Sequence, residues 1–322
     1  LLINVRNKRI LKEHRIYKKE RGSFLCVLTI KKKMKYLGGK HGIGKHIAEF
    51  MTEQCDPSSG FEGYLEPFCG SLGVFKHMTK YDYNKFVASD YHPDLIAMWQ
   101  QIQKNQLRIP KEMTETQYNK LKNAASPNAM KAVAGFGLSF GGKFFAGFAQ
   151  KWAGNSGRDF LREFRTSIEK IKPAIQKDNV TFVKKSYDGH TPKNMLVYCD
   201  PPYRETEGYS TGSFDHDAFW ETMRQWSRDN CVFVSEENAP KDFRVVWRRK
   251  KRRTLDKGDR FYKEEKLYMY KGGKFGVKKN GVKKTGVKRN EVKRNEVKKR
   301  GQQVKKTRKR QSGDRGARTR RR

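Results

Sequence analysis

From residue 63 to residue 270, short apolar runs alternate with stretches of helical periodicity, and this alternation limits the fold more than any other feature. Strands are predicted over Gly63–Pro67, Phe86–Asp90, Val180–Lys184, Met195–Asp200, Cys231–Ser235, Arg244–Trp247 and Lys266–Tyr270. Between them, Leu95, Met98, Trp99 and Ile102 recur at helical spacing, as do Phe160, Phe164, Ile168 and Ile171. Phe219, Met223 and Trp226 repeat the pattern after Asp215, a residue suited to capping a helix. These aromatic side chains belong to a core. The arrangement predicts an α/β fold, a mostly parallel sheet with helices on both faces.

One strand ends in an unusual way. Met195-Leu196-Val197-Tyr198-Cys199 is followed by Asp200-Pro201-Pro202-Tyr203. Two prolines cannot continue a sheet ladder, so the strand must stop there. A carboxylate and an aromatic ring are thereby held on a stiff, extended loop at a strand's carboxyl end, the edge where open α/β sheets bind ligands. An anion beside an aromatic face suits a flat ring that carries an amino group.

A second segment, Glu66-Pro67-Phe68-Cys69-Gly70-Ser71-Leu72-Gly73-Val74-Phe75, is predicted as a strand end, a tight glycine turn and a helix start. Such a turn lets backbone approach a ligand closely. The next strand ends in Ser89-Asp90, and an acid there suits a ribose hydroxyl pair. Together they point to a cofactor containing adenosine. Only Gly70 and Gly73 are present, so the dinucleotide fingerprint is not met.

Charge divides the chain. It carries 72 basic and 34 acidic residues, a net of +38. Residues 1–33 hold 11 basic against 2 acidic, and residues 271–322 hold 23 against 3. The ends are polycationic and call for a polyanion. Residues 1–33 are predicted to be a poorly ordered extension upstream of Met34. The tail is a degenerate pentapeptide repeat (GVKKN, GVKKT, GVKRN, EVKRN, EVKKR from residue 276) with one valine in five, which cannot bury a face and predicts disorder. The stretch 105–155, rich in glycine, phenylalanine and lysine, interrupts the alternation. It promises a poor core and a nucleic-acid surface, against the plainer prospect that its phenylalanines pack on the sheet. The run Arg248–Arg253 lies next to a strand, as a solvated face or a phosphate contact.

The five cysteines, odd in number and without a Cys-x-x-Cys pair, argue against a disulfide framework or zinc site and for a reducing compartment. Cys69 and Cys199 read as small core residues. The histidines show no metal-ligand spacing, and no apolar stretch approaches the length of a bilayer span.

Tyr36-Leu37-Gly38-Gly39-Lys40, then the Glu66–Phe75 segment, Asp90 and Asp200-Pro201-Pro202-Tyr203 resemble, in that order, the DNA adenine-N6 methyltransferases of the Dam (D12) class, of phage or prophage type. The resemblance covers about residues 34–270, including Tyr209–Gly212, Phe214-Asp215-His216, Val234-Ser235-Glu236, Thr254-Leu255-Asp256 and Glu265-Lys266-Leu267. It implies a Rossmann-like methyltransferase domain with a small target-recognition insert, mainly helix and loop, at about 105–175.

It also implies S-adenosylmethionine as cofactor, held by Tyr36, Lys40, Glu66, Pro67, Phe68, Gly70, Asp90 and Asp200. The catalytic residues would be Asp200, Pro201, Pro202 and Tyr203, with Asp200 and the Pro201 carbonyl accepting from the adenine amino group and Tyr203 stacking on the flipped base. Neither metal nor membrane is implied. Double-stranded DNA is the partner, with a monomer acting in the cytoplasm of a bacterial or phage-infected cell and a cognate restriction nuclease as a further candidate partner. Two departures stand out: Tyr36 replaces a commoner tryptophan, and Lys185-Ser186-Tyr187-Asp188 replaces a commoner Asp-Phe. An RNA adenine methyltransferase and a catalytically inactive DNA-coating protein are the competing functions.

Overall fold

The computed structural model describes residue 36 and residues 39–149, 159–203, 214–252 and 262–276. The basic N-terminal extension, the repeats of the tail, Tyr209–Gly212 and Thr254–Asp256 lie outside the described residues. The chain forms two units, one of residues 1–246 and 267–278, the other of residues 247–266 and 279–322.

The sheet has seven strands: β1 (Gly63–Glu66), β2 (Lys85–Asp90), β3 (Val180–Lys184), β4 (Met195–Cys199), β5 (Cys231–Ser235), β6 (Phe243–Arg252) and β7 (Tyr262–Tyr270). Their order is β3-β2-β1-β4-β5-β7-β6. Strands β1 to β5 are parallel, with Gly63 opposite both Lys85 and Met195, while β7 runs antiparallel to β5. The sheet is thus mixed at one edge, as its late strands follow without an intervening helix. Every residue of β1, β4 and β5 is buried, which is why they read as unbroken apolar runs.

The connecting helices in the first unit are α1 (Gly44–Gln54), α2 (Phe75–Met78), α3 (Pro93–Gln103), α4 (Glu115–Lys122), α5 (Ala129–Ala132), α6 (Phe160–Ile175) and α7 (His216–Trp226). The predicted periodicities are on α3, α6 and α7, and their marker residues are buried except Phe160, which is half-buried. Asp215 caps α7 by accepting from the amides of Asp217 and Ala218, at 3.0 and 2.9 Å.

Sequence predictions for the edge strands fall short. β6 extends to Arg252, so most of the Arg248–Arg253 run is in a strand rather than beside one. A strand of Arg and Lys carries no apolar alternation, yet their aliphatic stems tolerate a sheet position. In the second unit Trp247 is buried, and Arg248 Nη1 lies 3.9 Å from Glu264 Oε2.

The cysteine expectation needs correction. Cys55, just past α1, is bonded to Cys231, the first residue of β5, with their Cα atoms 6.6 Å apart. The partners are separated by 176 positions, so spacing along the chain could not reveal them. Cys69 and Cys199 are buried thiols, as core residues should be.

The insert also differs from its composition. Phe136, Phe144, Phe145, Tyr118 and Phe148 form a continuous aromatic cluster with centroids 4.7–5.2 Å apart. A Cβ on Gly135 would collide with the Phe144 ring, so the glycine permits this packing. The rings pack on one another, on His92 and on Tyr36. Phe140, 66% exposed, is the exception.

Asp94 anchors the insert to α3. Its buried carboxylate accepts from Ser126 Oγ at 3.0 Å and from the Asn128 amide at 2.7 Å, and Asn128 in turn caps α5. Asp94→Ala should cost about 2–3 kcal/mol, because a buried amide loses a charged acceptor. Thermal unfolding will show the loss, and proteolysis should begin between residues 105 and 149. An unchanged melting temperature would refute the anchor.

Candidate active site

The order of the strands puts a crevice where β1 separates β2 from β4, the point at which connections leave in opposite directions. Each of these three strands ends in an acid. Glu66 closes β1, Asp90 closes β2, and Asp200 follows β4.

The Gly70 loop is built by side chains that hold its backbone. Asp90 Oδ2 accepts from the Gly70 amide at 3.0 Å, and Trp99 Nε1 donates to the Gly70 carbonyl at 2.9 Å. Asp90 Oδ1 accepts from the His92 amide at 3.0 Å. Gly70 has φ +43°, and a Cβ there would approach the Tyr36 ring to 3.1 Å. Tyr36 therefore lies against the loop, with Phe136 5.0 Å away across its ring. Gly73 is equally constrained, since a Cβ would sit 2.9 Å from the Lys40 amide. The segment before α1 and the glycine turn are packed backbone to backbone.

Lys40 connects this half of the crevice to the other. Only 5% exposed, it sets Nζ 2.8 Å from Asp200 Oδ1 and donates to the Tyr203 hydroxyl at 2.7 Å. The same ammonium stands 4.8 Å from the Tyr203 ring centroid. One buried cation thus fixes both functional groups of the Asp-Pro-Pro-Tyr segment. Pro201 is buried and Pro202 half-buried, so the segment's path is held by packing as well as by its fixed φ angles.

Glu66 sits deepest. It is 2% exposed and accepts from the Tyr64 hydroxyl at 2.6 Å. Burial pushes its carboxyl well above the ordinary value of 4.5; the Tyr64 hydrogen bond opposes this, and the charges of Asp200 and Asp90 add to it. Burial likewise raises Asp90, against the pull of the amides of His92, Gly70 and Tyr91. A carboxyl raised on folding keeps a proton that the unfolded chain releases, so its contribution to stability is lost as pH rises. Glu66→Gln keeps an acceptor for Tyr64 and abolishes the titration. The variant should be more stable than the native chain at about pH 8, by roughly 1–3 kcal/mol, with the gap closing toward pH 4. Melting curves across that range check it, and a gap independent of pH would contradict it.

Two further predicted residues follow β1 directly. Pro67 is buried directly after β1, and Phe68 stacks on Tyr187 at 5.5 Å and meets Phe214 and Phe219 edge-on. Tyr187, from the unexpected Lys-Ser-Tyr-Asp stretch, is therefore part of the wall that supports Phe68. Trp99 and His92 went unrecognised as site supports, because their helical or loop positions are typical of core residues. Tyr91, 54% exposed beside Asp90 with Lys184 Nζ 5.2 Å from its ring centroid, carried no signal of its own. Among the described residues, no group of His, Cys, Asp or Glu could hold a metal ion, and no helix is long and apolar enough to cross a membrane.

A search of curated proteins found no match. Among solved structures, the chain is similar to the Escherichia coli protein yhhF, a methyltransferase by inference, with 12% identity and a TM-score of 0.32. That alignment covers 72% of this chain and 88% of the other. It is also similar to a Listeria monocytogenes protein inferred to be a class I S-adenosylmethionine-dependent methyltransferase, with 12% identity and a TM-score of 0.36, over 80% of this chain and 67% of that one. The family profile of the D12 class N6 adenine-specific DNA methyltransferases matches residues 36–127, the segment that carries Tyr36, Lys40, the Gly70 loop and Asp90.

Proposed function

We propose that this chain transfers a methyl group from S-adenosylmethionine to N6 of adenine in double-stranded DNA. In this reading residues 34–270 form the methyltransferase domain, with target recognition in the insert at about 105–175. The observation that carries it is the buried Lys40 joining Asp200 and Tyr203, beside a glycine loop whose conformation Asp90 fixes.

The crevice suits such a cofactor in its donor set. Glu66, Asp90 and Asp200 lie at the strand ends that border it, and a ligand that carries a sulfonium and an amine would draw the raised carboxyls of Glu66 and Asp90 back toward their ionised forms. Gly70, at positive φ and without a side chain, lets Tyr36 close on the loop that would hold that ligand. Tyr36, Lys40, Glu66, Pro67, Phe68, Gly70, Asp90 and Asp200 form this half of the site. When bound, the cofactor supplies a methyl already activated for transfer.

The chain's own task is the acceptor. An adenine amino lone pair is delocalised into its ring and attacks weakly. Asp200 and the Pro201 carbonyl accept from the amino hydrogens and draw the nitrogen toward tetrahedral geometry. Lys40 holds Asp200 in place, which limits reorganisation during the reaction. Tyr203 offers an aromatic face to a base taken out of the stack and offsets part of that cost. Pro201 and Pro202 keep both groups on one rigid segment.

Methylation-aware sequencing of DNA from a methylation-deficient bacterial host expressing the full chain tests the proposal. N6-methyladenine at one sequence motif supports it. Unmodified DNA with methylated ribosomal RNA would replace it by the RNA activity, and no new methylation anywhere would refute catalysis.

A further inference from the structure

The ends of β6 and β7 concentrate positive charge. Residues 247–266 of the second unit, which hold those strand ends, carry ten basic and four acidic residues. Their net of +6 is most of the +9 carried between residues 34 and 270. Six of the ten cations follow one another, from Arg248 to Arg253, and β6 reaches Arg252.

Side chains alternate in face along a strand, so Arg248 and Lys250 share one face, about 6.8 Å apart. Both are exposed, while Arg249 between them is half-buried and Trp247 before them is buried. Arg248 Nη1 stands 3.9 Å from Glu264 Oε2, beyond hydrogen-bond range, and the two side chains remain 47% and 33% exposed. A surface pair of that kind adds little stability and leaves the guanidinium open to a stronger anion.

Two roles compete for these cations. β6 is the edge strand of the sheet, and Lys or Arg on an edge guards it against pairing with another chain. One or two charges suffice for that, whereas six in succession occupy both faces and repel one another. A polyanion relieves the repulsion. A duplex also suits the shape, since its major groove admits a two-stranded β-ribbon. The chain passes between the units at a fitting place. Leu267 pairs with Ser235 at the carboxyl end of β5, the sheet edge that also holds Asp200.

We propose that the ribbon is a phosphate-binding arm for duplex DNA, with Arg248 and Lys250 each on a backbone phosphate. The proposal rests on the reading of DNA as the polymer bound, and its binding is measured apart from catalysis.

The test is binding of the full chain, without cofactor, to a fluorescein-labelled DNA duplex across a salt series. Arg248→Gln with Lys250→Gln should reduce the slope of log Kobs against log salt by about 1.8, the loss of two phosphate contacts. The affinity loss should be equal on unrelated duplexes, because phosphates carry no sequence. Arg248→Lys with Lys250→Arg should keep the native slope; a loss there too would mean a disturbed ribbon and overturn the assignment. Lys80→Gln with Lys104→Gln removes the same charge from exposed positions elsewhere and should change the slope by less than half as much. An equal change would make the effect one of net charge and sink the proposal. A native slope in the ribbon variant, with self-association in sedimentation, would assign the cations to edge protection instead. Ribbon-dependent binding to an RNA duplex but not to DNA would also overturn it. A native slope in a chain that methylates DNA removes the arm and leaves the proposed function; a reduced slope in a chain that methylates no DNA keeps the arm and removes that function.

Discussion

Asp200→Ala is expected to lower methyl transfer to DNA by roughly 10²–10³-fold, the scale of losing one preorganised polar contact to developing charge. The effect should fall on kcat more than on KM. The amino nitrogen gains positive charge only as the methyl arrives, so the carboxylate's hydrogen bond strengthens in the transition state rather than on binding. Asp200→Asn keeps an acceptor oxygen without the charge and should lie between native and alanine. Retention on DNA should persist in both variants and weaken with salt, because neither substitution alters the positive charge of the chain's two ends. Single-turnover transfer of labelled methyl, alongside binding at two salt concentrations, separates these effects. Native rates in the alanine variant would remove Asp200 from the chemistry and favour a DNA-coating protein.

Such a prediction could be framed from the sequence because the site's chain reversals are written in proline and glycine. Asp200-Pro201-Pro202-Tyr203 and the Gly70 turn mark strand ends by local chemistry alone, and β3 and β5 have their predicted limits because they are short apolar runs between turns. β6 and β7 were under-read, since charged residues in an edge ribbon lack the alternation that marks a half-buried strand. Pairings across long separations were invisible: Lys40 with Asp200, Trp99 with Gly70, Cys55 with Cys231. Composition misled in the insert, where glycines that suggested an open loop instead make room for phenylalanine rings.

Lys40→Met should be the most destabilising single change in the crevice. Methionine replaces the aliphatic stem, so the loss reports the ammonium rather than a cavity. Without it, Asp200 keeps its carboxylate, 18% exposed, near a buried Glu66 and the half-buried Asp90, and a cation 2.8 Å away is gone. Breaking such a pair costs about 3–5 kcal/mol. The loss should depend on pH. Glu66 is already raised by burial and by the charges of Asp200 and Asp90, and an Asp200 charge no longer offset by the ammonium acts on it more strongly. A raised carboxyl stabilises the fold at low pH and stops doing so as pH rises, so the gap between native and variant should widen from about pH 5 to pH 8. Adding Asp200→Asn to Lys40→Met removes the anion that the lysine balanced. The double variant should regain stability relative to Lys40→Met while remaining inactive, a coupling that a double-mutant cycle measures directly. A gap that is constant with pH, or stabilities that simply add, would mean that Lys40 serves only to fill space beside Tyr203.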